Sequence, residues 1–205
     1  MLPTFKKYLE EMSIAGYGDW SGTASFEKSY SKFVIENKWE DVGTIDKFQV
    51  KKMSTGKNIT YVVGNLEPYE NDKDRFTVVG QIELVHEFDL SKAFGLRNLY
   101  SVSGVVVEKT SRGSGLGKKL YEFLVTEEDL NILGDEVQYF GARKLWASIS
   151  QRSKLVVDLI DLVSNKYVAK NVKLDHGDLD HEFDPRLWSY SNEKANIRPI
   201  LTKIS

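Results

Sequence analysis

The sequence predicts an α+β (mixed α/β) fold, and three observations carry that expectation. From about residue 46 the apolar residues recur in the order strand, strand, strand, strand, helix, strand, helix, strand, strand. One of these strands, ending Val105-Val106-Val107, leads through Arg112 and three glycines at alternate positions straight into an amphipathic stretch. Two further stretches of helical periodicity precede residue 46. The chain has 205 residues and is 41% hydrophobic, enough for one substantial core. No linker or internal repeat divides it, so a single domain is expected over 1–205. It would comprise a helical N-terminal part (1–45), a core (46–175) and a C-terminal extension (176–205).

The elements follow from local pattern. Leu2, Phe5, Tyr8, Leu9 and Met12 recur at helical spacing and predict a helix over 3–13. Phe26, Tyr30, Phe33 and Val34 predict a second over 24–37, with Ser25 as its N-cap. Phe48 to Met53 and Ile59 to Val63 alternate around the turn Thr55-Gly56-Lys57-Asn58, a hairpin pattern. Residues 65–75 are polar and read as a loop. Phe76–Phe88 and Asn98–Glu108 read as long strands, joined by 89–97. Leu116, Leu120, Phe123 and Leu124 form one face of a helix running to about 125. A short helix is expected around Leu130, Ile132 and Leu133. Leu145–Ile149 reads as a strand, 155–163 as an amphipathic helix, and Tyr167–Leu174 and Ile197–Ile204 as the last strands.

Composition narrows the function classes. The net charge is −2 with both signs mixed, which argues against a nucleic-acid surface. No apolar run approaches 18 residues, so no membrane span is expected. The first residues lack the apolar core of a signal peptide. There is no cysteine, which excludes disulfides, zinc-thiolate sites and a cysteine nucleophile and fits a cytoplasmic protein. His176-Gly177-Asp178-Leu179-Asp180-His181 gathers ligand-type atoms but matches no zinc spacing, and no metal site is expected.

The glycine segment, Arg112-Gly113-Ser114-Gly115-Leu116-Gly117-Lys118, is the most specific signal. A helix start leaves backbone N–H groups without internal partners, and with the helix dipole these make a phosphate site. Spacing separates the known phosphate loops. A Walker A loop needs Gly five residues before Gly117 and Ser or Thr at 119, where this chain has Arg112 and Lys119. The dinucleotide fingerprint needs a third Gly where Lys118 or Leu120 stands. The alternative to a ligand site is a bare strand-to-helix turn. Against it, each glycine inside a helix costs about 1 kcal/mol relative to Ala.

Arg112-x-x-Gly115-x-Gly117, preceded by the apolar pair Val105 and Val107, resembles the pyrophosphate loop of the GNAT superfamily of acyl-CoA N-acyltransferases. The resemblance is tight over 101–125 and looser over 75–165. It implies a GNAT-like, mostly antiparallel mixed sheet of about six or seven strands flanked by helices, here with two N-terminal helices where the family usually begins with a strand. It further implies acetyl-CoA or another acyl-CoA as cosubstrate, with an amine acceptor attacking the thioester directly. The amides of Gly113, Ser114, Gly115, Leu116, Gly117 and Lys118 would cradle the pyrophosphate, and Arg112 would orient the loop or add charge. Val105 and Val107 would pair with pantetheine, and an N–H near Val107 would polarise the thioester carbonyl. An amine acceptor must lose a proton before attack, so a carboxylate is expected nearby. Glu83 and Glu87 are the candidates, with Glu83 preferred as base. Ser101 and Ser103 share a face with Val105 and Val107 if that strand is regular. The family's tyrosine acid is missing from 153–163, leaving Tyr167 as the nearest phenol. The competing reading is a GNAT-like domain without activity that serves as a binding or structural protein.

Overall fold

The computed structural model describes residues 39–69, 73–135, 140–152, 154–174 and 196–204. The helices expected over 3–13 and 24–37, and the His176–His181 segment, lie outside the described residues. The chain separates into two compact units, Met1–Leu84 with Ser103–Leu116, and Val85–Val102 with Gly117–Ser205.

In the first unit the strands run in the hydrogen-bonded order β1 (Glu40–Ile45), β2 (Phe48–Thr55), β3 (Asn58–Tyr69), β4 (Lys73–His86) and β5 (Leu99–Val107), the last two continuing into the second unit. The β1–β2 and β2–β3 pairs are antiparallel, joined by the two-residue links Asp46-Lys47 and Gly56-Lys57. Gly56 has φ +62°, the positive value that a tight hairpin turn demands at its first central position. Strand β3 extends past the expected loop to Tyr69. Within it Gly64 makes the closest approach to β4: a Cβ there would lie 2.2 Å from the Thr77 carbonyl oxygen. Val50, Tyr61, Val62, Val63, Phe76, Val78, Ile82 and Leu84 are among the buried apolar residues of this unit.

The second unit has the order β5, β6 (Asn131–Leu133), β9 (Ile197–Lys203), β7 (Leu155–Asp161), β8 (Lys166–Ala169). β6 is parallel to β5, and β9 is antiparallel to both β6 and β7. Three α-helices are described: α1 (Phe88–Phe94), α2 (Leu116–Thr126) and α3 (Phe140–Arg152). Gly95 closes α1 in the left-handed conformation, its N–H and that of Leu96 returning to the Lys92 and Ser91 carbonyls. α2 buries Leu116, Leu120, Tyr121, Phe123, Leu124 and Val125, so its inward face is the one the periodicity marks. Leu99, Leu133, Ile160 and Ile200 form one core cluster of this unit. None of the described helices is long and apolar enough to cross a membrane.

The expected α+β, GNAT-like sheet of six or seven strands is corrected on strand number and balance. Among the described residues there are nine strands and only three α-helices. Two strands carry too weak a pattern to be read: β1, mostly exposed, and β6, three residues long. The third discrepancy is an exchange of types. Leu145–Ile149, expected as a strand, lies inside helix α3, where Trp146, Ile149 and Ser150 are buried at i, i+3 and i+4. Residues 155–161, expected as a helix, form β7. That strand lies between β9 and β8 and buries Leu155, Val157, Asp158, Leu159 and Ile160. A strand covered on both faces shows a continuous apolar run instead of alternation, which imitates a helix face. Leu130, Ile132 and Leu133 likewise belong to β6 and its approach, not to a helix.

Candidate functional site

Strand β5 and the loop after it organise the site. At the start of β5, Glu87 N–H donates to Leu99 C=O, and Asn131 N–H to Asn98 C=O. There the odd residues face β4 and the even ones face β6. Beyond the end of β5, Glu108 N–H donates to Val79 C=O on β4, so an even residue now faces β4. Between these bonds β5 advances nine residues and β4 eight, 108 − 99 against 87 − 79, which requires one extra residue in β5, a β-bulge. Burial along the strand slips accordingly, with Ser101 and Val102 both buried. The condition under which Ser101 and Ser103 would share a face with Val105 and Val107, a regular strand, is therefore not met over the whole length from Leu99 to Glu108.

Val107 turns its C=O away from β4, to Arg112 Nε. The ladder to β6 covers only Leu99, Tyr100 and Ser101, and within the first unit β5 is the edge strand.

After β5 the chain makes a 3₁₀ turn, Lys109–Ser111, organised by one carboxylate. Glu108 accepts hydrogen bonds from Thr110 N–H at 3.4 Å, from Thr110 Oγ1, and from Ser111 Oγ at 3.4 Å. Its role is to fix the turn. Arg112 Nε then donates to Val107 C=O at 2.9 Å, tying the loop to the strand end. Ser114 Oγ donates to Ser111 C=O at 2.7 Å and accepts from Leu116 N–H at 3.4 Å.

Gly113 and Gly115 have φ +79° and +85°, so glycine is needed there for backbone conformation. A Cβ at either would meet nothing within 4 Å. The space beside both residues is open. Gly117 and Lys118 fall in the first turn of α2, where a helix cannot satisfy its own N–H groups. Lys118 Nζ lies 3.6 Å from Glu122 on the next turn.

Glu83 lies on β4 within the first unit. Burial pushes its carboxyl above the usual range, and a hydrogen bond from Ser103 partly opposes the shift. Ser103 Oγ lies 3.4 Å from Glu83 Oε2 and 3.3 Å from its main-chain oxygen. Glu87, the other carboxylate candidate, accepts from Ser101 Oγ at 2.5 Å in the second unit. Tyr167 lies on strand β8 of that unit. Its ring meets Phe94 edge-on at 5.3 Å, Lys170 Nζ sits 4.4 Å above it, and burial followed by the Asp158 charge raises its phenol. Among the described residues no cluster of three His, Asp or Glu could hold a metal ion.

Sequence reasoning missed Gln81. It is a buried polar residue on β4, 2% exposed, two positions before Glu83. A glutamine inside the apolar run Val78-Val79-Gly80-Gln81-Ile82 was the available signal.

No family model matches the chain, and no curated protein matches it. Among solved structures it is similar to one described as "Putative acetyltransferase from GNAT family from Bacteroides thetaiotaomicron". The identity is 11%, the similarity covers 90% of this chain and 84% of that one, and the TM-score is 0.36. At those values the likeness carries no argument about activity.

Proposed function

We propose that the chain binds an acyl-CoA and transfers its acyl group directly to an amine. The observation that carries this reading is the loop Arg112–Leu116. Two of its glycines are held at positive φ beside open space, and it is anchored through Arg112 to the end of strand β5. The donor set suits a diphosphate: loop and first-turn amides from Gly113 to Lys118, with the positive end of the α2 dipole. In this reading the backbone of Val105 and Val107 would pair with an extended amide-bearing arm such as pantetheine, and Val107 N–H would lie against the thioester carbonyl.

Acyl-CoA brings the activated thioester; the chain's residues position it and manage protons. Glu83 is the base in this reading. An aliphatic amine has a pKa near 10 and arrives as ammonium at neutral pH. A carboxylate raised by burial is better matched to accept that proton than a solvated one. Neither α3, which has no tyrosine, nor the packed Tyr167 offers a ready acid. The departing thiolate is stable enough to leave without one. The same lack favours a second reading, a domain that binds acyl-CoA without turnover.

Thermal melting in the presence of acetyl-CoA tests the reading. At 100 times its dissociation constant a ligand adds about 2.7 kcal/mol, a rise of about 5–10 °C for a chain of this size. An unchanged melt in millimolar acetyl-CoA sinks it. A shift without thiol release across an amine panel selects the second reading.

A further inference from the structure

Ser103 on β5 stands between two acceptors that belong to one residue. Its Oγ lies 3.4 Å from Glu83 Oε2 and 3.3 Å from the Glu83 main-chain oxygen. A serine has one O–H to give, so it donates to one of these oxygens at a time. The two distances are nearly equal, and both exceed the usual O–H···O separation of about 2.7–2.8 Å. The serine two positions earlier is placed otherwise. Ser101 Oγ lies 2.5 Å from Glu87 Oε1 and 3.4 Å from Val85 C=O, so it is committed to the carboxylate.

The even placement of Ser103 matters because a base must be held in two states. As a carboxylate Glu83 only accepts hydrogen bonds; once protonated it has an O–H to donate. A half-buried carboxyl with a partner for one state alone resists the other. Ser103 Oγ serves both. It donates to Oε2 of the carboxylate. From the acid it accepts the Oε2–H, while its own O–H turns to the Glu83 main-chain oxygen. Only a hydroxyl hydrogen rotates. The flanking strands bring no formal charge to this stretch. Residues 103–107 of β5 and 58–66 of β3 are uncharged, as is Gln81 on β4 itself. Tyr61 is the titratable group on that part of β3, and its ring lies 5.8 Å from Lys52 Nζ on β2. Burial and the Ser103 hydrogen bond are what shift the Glu83 carboxyl.

We infer that Ser103 is the positioning residue of the base: its hydroxyl alternates between Glu83 Oε2 and the Glu83 main-chain oxygen as the carboxyl loses and gains the acceptor's proton. This deepens the acyl-transfer reading and rests on it. The ammonium gives one proton to Glu83 Oε2, and Ser103 turns to the main-chain oxygen. The freed lone pair forms the N–C bond to the thioester carbonyl carbon, and the C–S bond breaks. A second proton passes from the nitrogen to the departing thiolate, giving the thiol and the amide. Glu83 then returns its proton to water, and Ser103 swings back to Oε2. A hydrogen bond to the charged form is the stronger of the two, so the serine holds the carboxyl below the value that burial alone would give.

The test uses the full chain with Ser103→Ala and Ser103→Thr. The Glu83 side-chain carboxyl resonance is followed through a pH titration, and acetyl-CoA turnover with phenethylamine is measured as a function of pH. Ser103 is exposed, so removing Oγ leaves no buried cavity. Ser103→Ala should move the Glu83 midpoint and the acid limb of kcat/KM upward by about half a pH unit, about a threefold loss of activity on that limb. Ser103→Thr keeps the hydroxyl and should restore both. An unmoved Glu83 midpoint in Ser103→Ala, or an equal shift in Ser103→Thr, overturns the inference. A moved midpoint with an unmoved acid limb removes the serine from the reaction and overturns it too. A moved midpoint in a chain that turns over no acetyl-CoA overturns acyl transfer and leaves the Ser103–Glu83 pair standing.

Discussion

Gly113 and Gly115 do two separable things, and substitution can tell them apart. Their φ values of +79° and +85° are strained for any residue with a Cβ, while the space around that Cβ is open. Gly115→Ala should therefore cost about 1–2 kcal/mol of stability from backbone strain alone. Gly115→Glu should add little further instability yet abolish CoA binding, because a carboxylate would occupy and repel the diphosphate site. Denaturant titration and CoA calorimetry on both variants check this, and retained CoA affinity in Gly115→Glu would remove the loop from the site. Glu83 makes a different prediction. Its raised carboxyl favours the protonated form in the folded state. Its contribution to stability is full below the ordinary glutamate value, about 4.3, and is lost as pH rises through the raised native value. Gln at this position cannot ionise. The melting temperature of Glu83→Gln should thus gain on the parent as pH rises across that window, and parallel pH profiles would contradict the buried-carboxyl account. The glycines and Glu83 were both legible in sequence, the former by spacing and the latter by its place on a strand. Gln81 was legible only as a polar residue inside an apolar run; that its Oε1 lacks a partner was not.

Among the elements, the hairpin β2–β3 and helix α2 follow from short patterns that few contacts can override. A turn glycine and alternating residues specify the first; Leu116, Leu120, Phe123 and Leu124 specify the second. Helix α3 and strand β7 exchanged identities because their apolar runs are similar in length and composition. β9, about 40 residues further along, pairs with 155–161 over its whole length, from Leu155↔Lys203 to Asp161↔Ile197, and β8 pairs with its other edge. Trp146, fully buried and edge-on to Tyr121 at 5.6 Å, anchors α3. Trp146→Ala should cost about 3–5 kcal/mol in denaturant unfolding, where an exposed strand position would cost far less. On β3, Gly64→Ala would place a Cβ 2.2 Å from the Thr77 carbonyl, which cannot yield as a side chain could. A loss of up to about 3 kcal/mol is expected, and a neutral effect would mean that β3 and β4 are not so close.

For the molecule, chain order and spatial order diverge most at β9. It is the last strand in sequence, yet it lies between β6 and β7 within its unit, and Ile197, Ile200 and Leu201 are buried there. A chain ending at Asn196 should leave β6 and β7 without their shared partner and expose Leu133 and Ile160. Amide exchange protection across 155–161 should then collapse, and its persistence would refute the central placement of β9. The sequence by itself determined the glycine loop, the inward face of α2 and the β2–β3 turn, because each is encoded within about ten residues by backbone geometry and helical or strand period. The tertiary structure alone decided which apolar run became β7, where β5 bulges, that burial raises the Glu83 carboxyl, and that Gln81 is left without a partner. Those features depend on what lies across the sheet, and residues distant in sequence supply it.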